Sequence, residues 1–172
     1  MTQNLTKTEV DLQDDCNSVA GNATDGKGTV NLAGKWVYTM DVELEPYLMI
    51  PDGPKGTKAI IKVSGKVYGP DINGEVIAPS NDWLTVGSDG ILIGMDVNAV
   101  VRTHDDGQLL HTNVTGRSER EPDNPDNCVI RSAATWEAGP GKYQYLNNKL
   151  FFGHGKKFDG NKVKISYYDT SF

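Results

Sequence analysis

The stretch Gly65–Gly107, GKVYGPDINGEVIAPSNDWLTVGSDGILIGMDVNAVVRTHDDG, decides the fold. It carries three turn signals, Asn73-Gly74, Asp89-Gly90 and Asp106-Gly107, spaced 16 to 17 residues apart. Asn-Gly and Asp-Gly suit two-residue hairpin loops, whose central positions both require positive φ. Runs of strand length rich in Val, Ile and Leu lie between them. The pattern is that of an antiparallel meander.

The same grammar continues on both sides. Upstream, WVYTMDVEL (Trp36–Leu44) alternates and puts Trp36, Tyr38 and Met40 on one side of a strand. A Pro/Gly-rich loop, Pro51–Thr57, separates it from AIIKVSGKVYG. Downstream come QLLHTNVTGR, a polar loop from Glu119 to Asn127, CVIRSAATWEAG, and then KLFFGHG and KVKISYY joined across Asp159-Gly160. There are about nine strand candidates and no helical pattern of about ten residues or more. Lys142–Asn148 (KYQYLNN) has room for a single helical turn.

The expected fold is all-β, a single antiparallel up-and-down β-barrel of roughly eight to ten strands, since closure removes exposed edges. A β-sandwich is the alternative. Residues 1–34 are rich in Asn, Thr, Asp, Gly and Ser and read as an N-terminal extension, flexible or packed on the barrel. Residues 35–172 form the barrel domain. A barrel of about eight strands or more can hold a small ligand inside.

The totals narrow the function classes. The chain has 172 residues, enough for one domain with a sizeable core. Its net charge of −6 and pI of about 5.0 argue against a nucleic-acid partner, which calls for a basic face. No apolar run reaches the length of a membrane-spanning helix, and no secretory signal is visible, so the expected compartment is cytoplasmic. Cys16 and Cys128 are too few for a disulfide framework. The sequons at Asn4, Asn22 and Asn113 are coincidental on that reading. His104, His111 and His154 have no metal-ligand spacing, and no phosphate loop or nucleophile elbow is present. No metal and no cofactor is expected.

In a strand, alternate residues share a face. Asp96, Asn98, Val100 and Arg102 therefore lie together, opposite Met95, Val97, Ala99 and Val101. Either set can face the interior: inward, Asp96 and Asn98 line a pocket, and outward they form a solvated face. His111 shares a face with Asn113 and Thr115, and as an imidazole it is suited to proton transfer. Arg131 shares a face with Ala133 and Thr135, where it would pin a substrate oxyanion or pair with Asp96 or Glu137. Ser132, Ala133 and Ala134 leave room beside Trp136, as a cavity wall or a tight crossing requires. Trp83, Trp136, Tyr143 and Tyr145 suit either an aromatic mouth or the core. Glu75 and Asp82 read as architecture that ties down loop amides.

Gly65, Gly69-Pro70, Gly74-Glu75-Val76, Asp82-Trp83, Asp89-Gly90 and Asp96, then Thr103, Asp105-Asp106-Gly107, Gly116-Arg117, Arg131, Glu137, Gly139, Tyr143, Leu146-Asn147, Gly153 and Gly155, form an ordered pattern. From about Met40 to the C-terminus this pattern resembles the domain-of-unknown-function 3237 family, also called uncharacterised protein family 0311. The resemblance implies a small antiparallel barrel. It also implies kinship with fungal enzymes of natural-product biosynthesis that close or isomerise rings without cofactors. The chain departs from the family at Asn98, where Arg is usual, and at His111, where Tyr is usual. It also departs at Lys142 and Tyr145, in place of Arg and Trp, and His104 is an extra residue in the turn.

The expected function is a cofactor-independent cyclase or isomerase working by acid–base catalysis on a small, oxygenated, largely apolar natural product. Asp96, His111 and Arg131 are its expected catalytic residues. Trp83, Asn98, Trp136, Glu137, Tyr143, Tyr145 and Asn147 are expected to bind substrate. The alternative is a non-catalytic small-molecule-binding barrel or carrier. A small molecule is the expected partner, with no nucleic acid or membrane, and a homodimer is the expected assembly.

Overall fold

The computed structural model describes residues 33–87, 92–121, 124–158 and 160–170. Cys16, the Asp89-Gly90 signal and most of the N-terminal extension lie outside them. Eight strands alternate in direction: β1 Lys35–Gly53, β2 Gly56–Tyr68, β3 Gly74–Val86, β4 Leu92–Thr103, β5 Leu109–Glu121, β6 Asn124–Ala138, β7 Phe151–Phe158 and β8 Lys162–Asp169. Each pairs antiparallel with the next, and β8 returns to β1, so the sheet is a closed barrel and not a sandwich. Among the described residues, no helix is long and apolar enough to cross a membrane.

The period-2 pattern sorts the wall into two faces. Met95, Val97, Ala99 and Val101 of β4, Leu110, Thr112 and Val114 of β5, and Ile130, Ser132, Ala134 and Trp136 of β6 are all buried. The barrel interior is thus the core, and it is mostly apolar. One alternation slips. A register shift between Trp36 and Tyr38 leaves Trp36 exposed while Val37 and Tyr38 are both buried, so Trp36 does not share the face of Tyr38 and Met40.

The turn signals fall at strand junctions, but the loops are longer than two residues. Between β2 and β3 the Asn73 side chain bonds both the carbonyl (2.8 Å) and the amide (3.4 Å) of Gly69, closing a five-residue loop over residues 69–73. Gly74 is already in β3, and a Cβ there would lie 2.4 Å from the Arg102 carbonyl oxygen. The glycine serves close strand approach and not a positive φ. In the β4–β5 turn only Gly107 takes the left-handed conformation, at φ +71°. Asp106 caps that turn by accepting from the Thr103 hydroxyl (2.6 Å) and the Gln108 amide (3.0 Å).

One end of the barrel is plugged. Ile72, from the β2–β3 loop, is fully buried, as are Tyr143 and Leu146 from the β6–β7 connection. That connection contains the expected helical turn as a 3-10 helix, Gln144–Asn148. Asn147 clamps it to β6, accepting from the Ala138 amide (2.7 Å) and donating to the Ala138 carbonyl (3.0 Å). Tyr143 donates to Asp105 at 2.8 Å, and Lys142 closes a salt bridge to the same carboxylate.

Candidate active site in the barrel lumen

Above the plug the lumen is crossed by an aromatic layer. Tyr38 stacks on Tyr167 with ring centroids 4.7 Å apart, and meets Trp136 and Phe151 edge-on at 5.3 and 5.5 Å. Trp136 donates its indole N–H to the Tyr38 hydroxyl at 2.9 Å. Ser132 and Tyr167 join hydroxyls at 3.3 Å. Gly153, facing inward on β7, makes this possible: a Cβ there would lie 2.4 Å from Ser Oγ and 2.6 Å from the Tyr167 ring.

Asp82 carries the only carboxyl buried among the described residues. It shares the inner face with Val76, six residues before it, because the irregularity between them shifts the register by two residues and so keeps the alternation. The β3–β4 register shifts between Ile77 and Asn81, across a cis Ala78-Pro79 bond. Ser80 and Asp82 replace the lost ladder bonds with their side chains. The Ser80 hydroxyl donates to the Ile77 carbonyl (2.5 Å) and accepts from the Val100 amide (2.9 Å). Asp82 accepts from the Asp96 amide at 3.0 Å.

Burial pushes the Asp82 carboxyl up to about 6; the Asp96 amide opposes this, and the Asp96 charge adds to it. The Tyr167 hydroxyl is raised by burial, partly offset by Ser132 and reinforced by the charge of Asp82. Asp82 and Tyr167 therefore feel each other inside the barrel. Burial also raises Tyr38, with Tyr167 adding to the effect. Tyr38 and Tyr167 expose none of their surface, whereas the inward-facing Ser132 keeps 8% and Met95 9%.

The residues expected from the sequence to form the site do not gather there. Asp96 and Arg131 are exposed and His111 is half-buried, all on the outer face of β4, β5 and β6. Asp96 accepts from Asn113 (2.9 Å) and Asn98 (3.3 Å), and Asn113 also donates to the Val97 carbonyl (3.3 Å), so this carboxamide cluster satisfies itself. Arg131 pairs with Glu119 at 2.6 Å and not with Asp96 or Glu137. Trp83 and Tyr145 are exposed outside, while Trp136 and Tyr143 are buried in the core and the plug. These four aromatics form no common mouth. Asn147 is occupied as the clamp on Ala138.

His111 and Glu137 do meet. His111 Nδ1 lies 3.7 Å from Glu137 Oε2. They line an open groove of about 460 Å³ on the outer wall, with Val100, Leu109, Leu110, Ala138 and Gly139. The groove joins one expected catalytic residue to one expected binding residue, but it is separate from the lumen.

Asp82, Ser132 and Tyr167 were not among the residues singled out for chemistry by sequence. The signal was present in the alternation: Ser132 shares its face with Ile130, Ala134 and Trp136, and Tyr167 shares its face with Val163 and Ile165. A polar residue on an apolar inner face is the marker. For Asp82 the signal was present as well, since it lies six residues from Val76 and a two-residue shift of register leaves the period-2 face unchanged.

Comparison with known proteins agrees with this architecture. A protein of unknown function from Clostridium acetobutylicum is 21% identical, with a TM-score of 0.68 over 84% of this chain and 100% of that one. A β-barrel-like protein from Acinetobacter baumannii is 18% identical, with a TM-score of 0.71 over 83% of this chain and 99% of that one. An enzyme from Penicillium herquei is 18% identical, with a TM-score of 0.53 over 82% of this chain and 98% of that one. At these identities the likeness is one of fold. No curated protein gives a significant match. The family described as "Protein of unknown function (DUF3237)" matches residues 33–170, nearly the whole described chain, and the protein belongs to that family.

Proposed function

We propose that the protein is a cofactor-independent isomerase or intramolecular cyclase that binds a small, oxygenated, largely apolar molecule in the barrel lumen. The observation that carries this is Asp82, a lone buried carboxyl on an apolar inner wall whose charge reaches the Tyr167–Ser132 hydroxyl pair. A carboxyl held up to about 6 exchanges protons readily near neutral pH. As carboxylate it takes a proton from a substrate hydroxyl or carbon acid. In ring closure the freed oxygen forms the new C–O bond to an unsaturated carbon, and Asp82 returns the proton to the adjacent carbon. In isomerisation the proton leaves one carbon and returns to another. Atoms balance in both cases, and the product has the mass of the substrate. The Ser132 and Tyr167 hydroxyls supply donors for the developing oxyanion. Asp96 serves as a positioning residue, through its amide to Asp82 and through its charge.

The test is conversion in extracts of a producing strain lacking the protein. An isomeric product of unchanged mass is expected with the native chain, and none with Asp82→Asn. A product of altered mass would exclude ring closure and isomerisation alike. Loss of activity in His111→Gln but not in Asp82→Asn would move the chemistry to the outer groove.

A second reading, a carrier, is favoured by the aromatic layer, in which Trp136 already bonds Tyr38 and Ser132 already bonds Tyr167. A bound small molecule recovered unchanged from the native chain would decide for it. The enzyme reading includes a cytoplasmic setting.

A further inference from the structure

The barrel closes, but one strand outruns its neighbour. β1 pairs with β8 only from Lys35 to Glu43, and the last bond on that side runs from the Leu44 amide to the Asn161 carbonyl at 2.9 Å. β1 continues to Gly53, bonded on its other side to β2. Among the described residues, nothing pairs with the outer edge of β1 from Glu45 to Gly53. Its alternate amides and carbonyls are offered outward, as at any sheet edge.

The side chains on this edge are not those of a guarded one. Tyr47, Leu48, Met49 and Ile50 are 60, 52, 69 and 53% exposed. Leu48 and Ile50 share one face and Met49 takes the other, while Tyr47 lies in the bulge that shifts the β1–β2 register between Pro46 and Leu48. Both faces of the edge are apolar. Pro46 and Pro51 bracket the four residues and lack the amide donor a strand partner needs, so pairing is confined to Tyr47–Ile50. Lys62 already answers Glu45 at 3.2 Å and lies 4.8 Å from the centre of the Tyr47 ring, holding that ring at the edge.

We propose that this edge is a docking strand for the same edge of a second copy, the two pairing antiparallel about a twofold axis. Two observations favour a second copy. An antiparallel pair of identical strands is self-complementary, so one contact satisfies both free edges and leaves none to propagate. A register centred on Leu48 also sets Leu48 against Leu48 of the partner subunit and Glu45 against the partner's Pro51, so that no two like charges are directly opposed. The contact is small and forms a weak dimer.

The experiment is sedimentation velocity on the full chain from low to several hundred micromolar, with hydrogen exchange read in parallel. The expected result is a concentration-dependent dimer and amide protection at Tyr47–Ile50 that rises with concentration. Leu48→Lys places two lysines opposite each other and should weaken association by roughly tenfold or more. Phe152→Lys, an exposed apolar residue on β7, should leave it unchanged. Both substitutions are at the surface and should leave the melting temperature near that of the native chain. A native chain that stays monomeric overturns the proposal. So does a dimer weakened by Phe152→Lys and not by Leu48→Lys, or protection at Tyr47–Ile50 that is independent of concentration.

Discussion

The amide of Asp96, a residue on the outer wall, donates to the carboxylate of Asp82 on the inner wall at 3.0 Å. The bond passes through the strand pair β3–β4 and joins two carboxylates that face different media. Asp96 stands in water and Asp82 does not. The bond eases ionisation of the inner carboxyl, and the outer charge opposes it less strongly.

Asp82 should impose a recognisable pH dependence on stability. Its folded value, about 6, is above that of an unfolded carboxyl, so the folded state holds the extra proton between roughly pH 4 and 6. Stability from this group is greatest below that window and is lost as pH rises through it, by ~3 kcal/mol. Asp82→Asn keeps an acceptor for the Asp96 amide and removes the charge. Denaturant titrations at several pH values should show the variant gaining on the native chain from pH 4 to 7. A constant difference would mean that Asp82 is not desolvated.

The Tyr38–Trp136 bond should matter to the core. Tyr38→Phe leaves the buried indole N–H without its acceptor at a cost of ~1–3 kcal/mol. Trp136→Phe removes the donor as well as the bicyclic ring, and the double variant should lose less than the sum of the two. Strict additivity would show that the hydroxyl and the indole are not coupled.

Asn147 holds the plug to β6 through two bonds to one residue. Asn147→Ala should cost ~1–2 kcal/mol and raise hydrogen exchange at the Ala138 amide first. Asn147→Asp should restore the acceptor but not the donor, and fall between. Unchanged exchange at Ala138 would refute the clamp.

Gly74 answers a question of space. Gly74→Ala brings a methyl group within 2.4 Å of the Arg102 carbonyl oxygen, so β3 or β4 must move. A loss of ~1–3 kcal/mol is expected by thermal unfolding, as for other overpacked sites. An unaffected melting temperature would show that the β3–β4 pair can give way.

Much of the barrel could be read from alternation because its interior is filled by side chains at every second position. Met95 to Val101 and Leu110 to Val114 declared the strands and their two faces, but the sequence left open which face of the Met95–Val101 strand turns inward. The positions of the turns were legible in Asn73-Gly74 and Asp106-Gly107, but their lengths were not, since Asn73 closes its loop with a side chain and not through backbone geometry. The site was less legible. Polar residues with evident chemistry, Asp96, His111 and Arg131, sit outside where water satisfies them, which is the ordinary place for such groups. The inward acid lay on the face of Val76 by period-2 counting, since the register shift near Pro79 is of two residues, but a carboxylate before Trp reads first as a tie for loop amides.

The plug built by Ile72, Tyr143 and Leu146 gives the tube a dead end. Under the proposed function, substrate and product would have to share the end opposite this plug, so release of one would precede entry of the next.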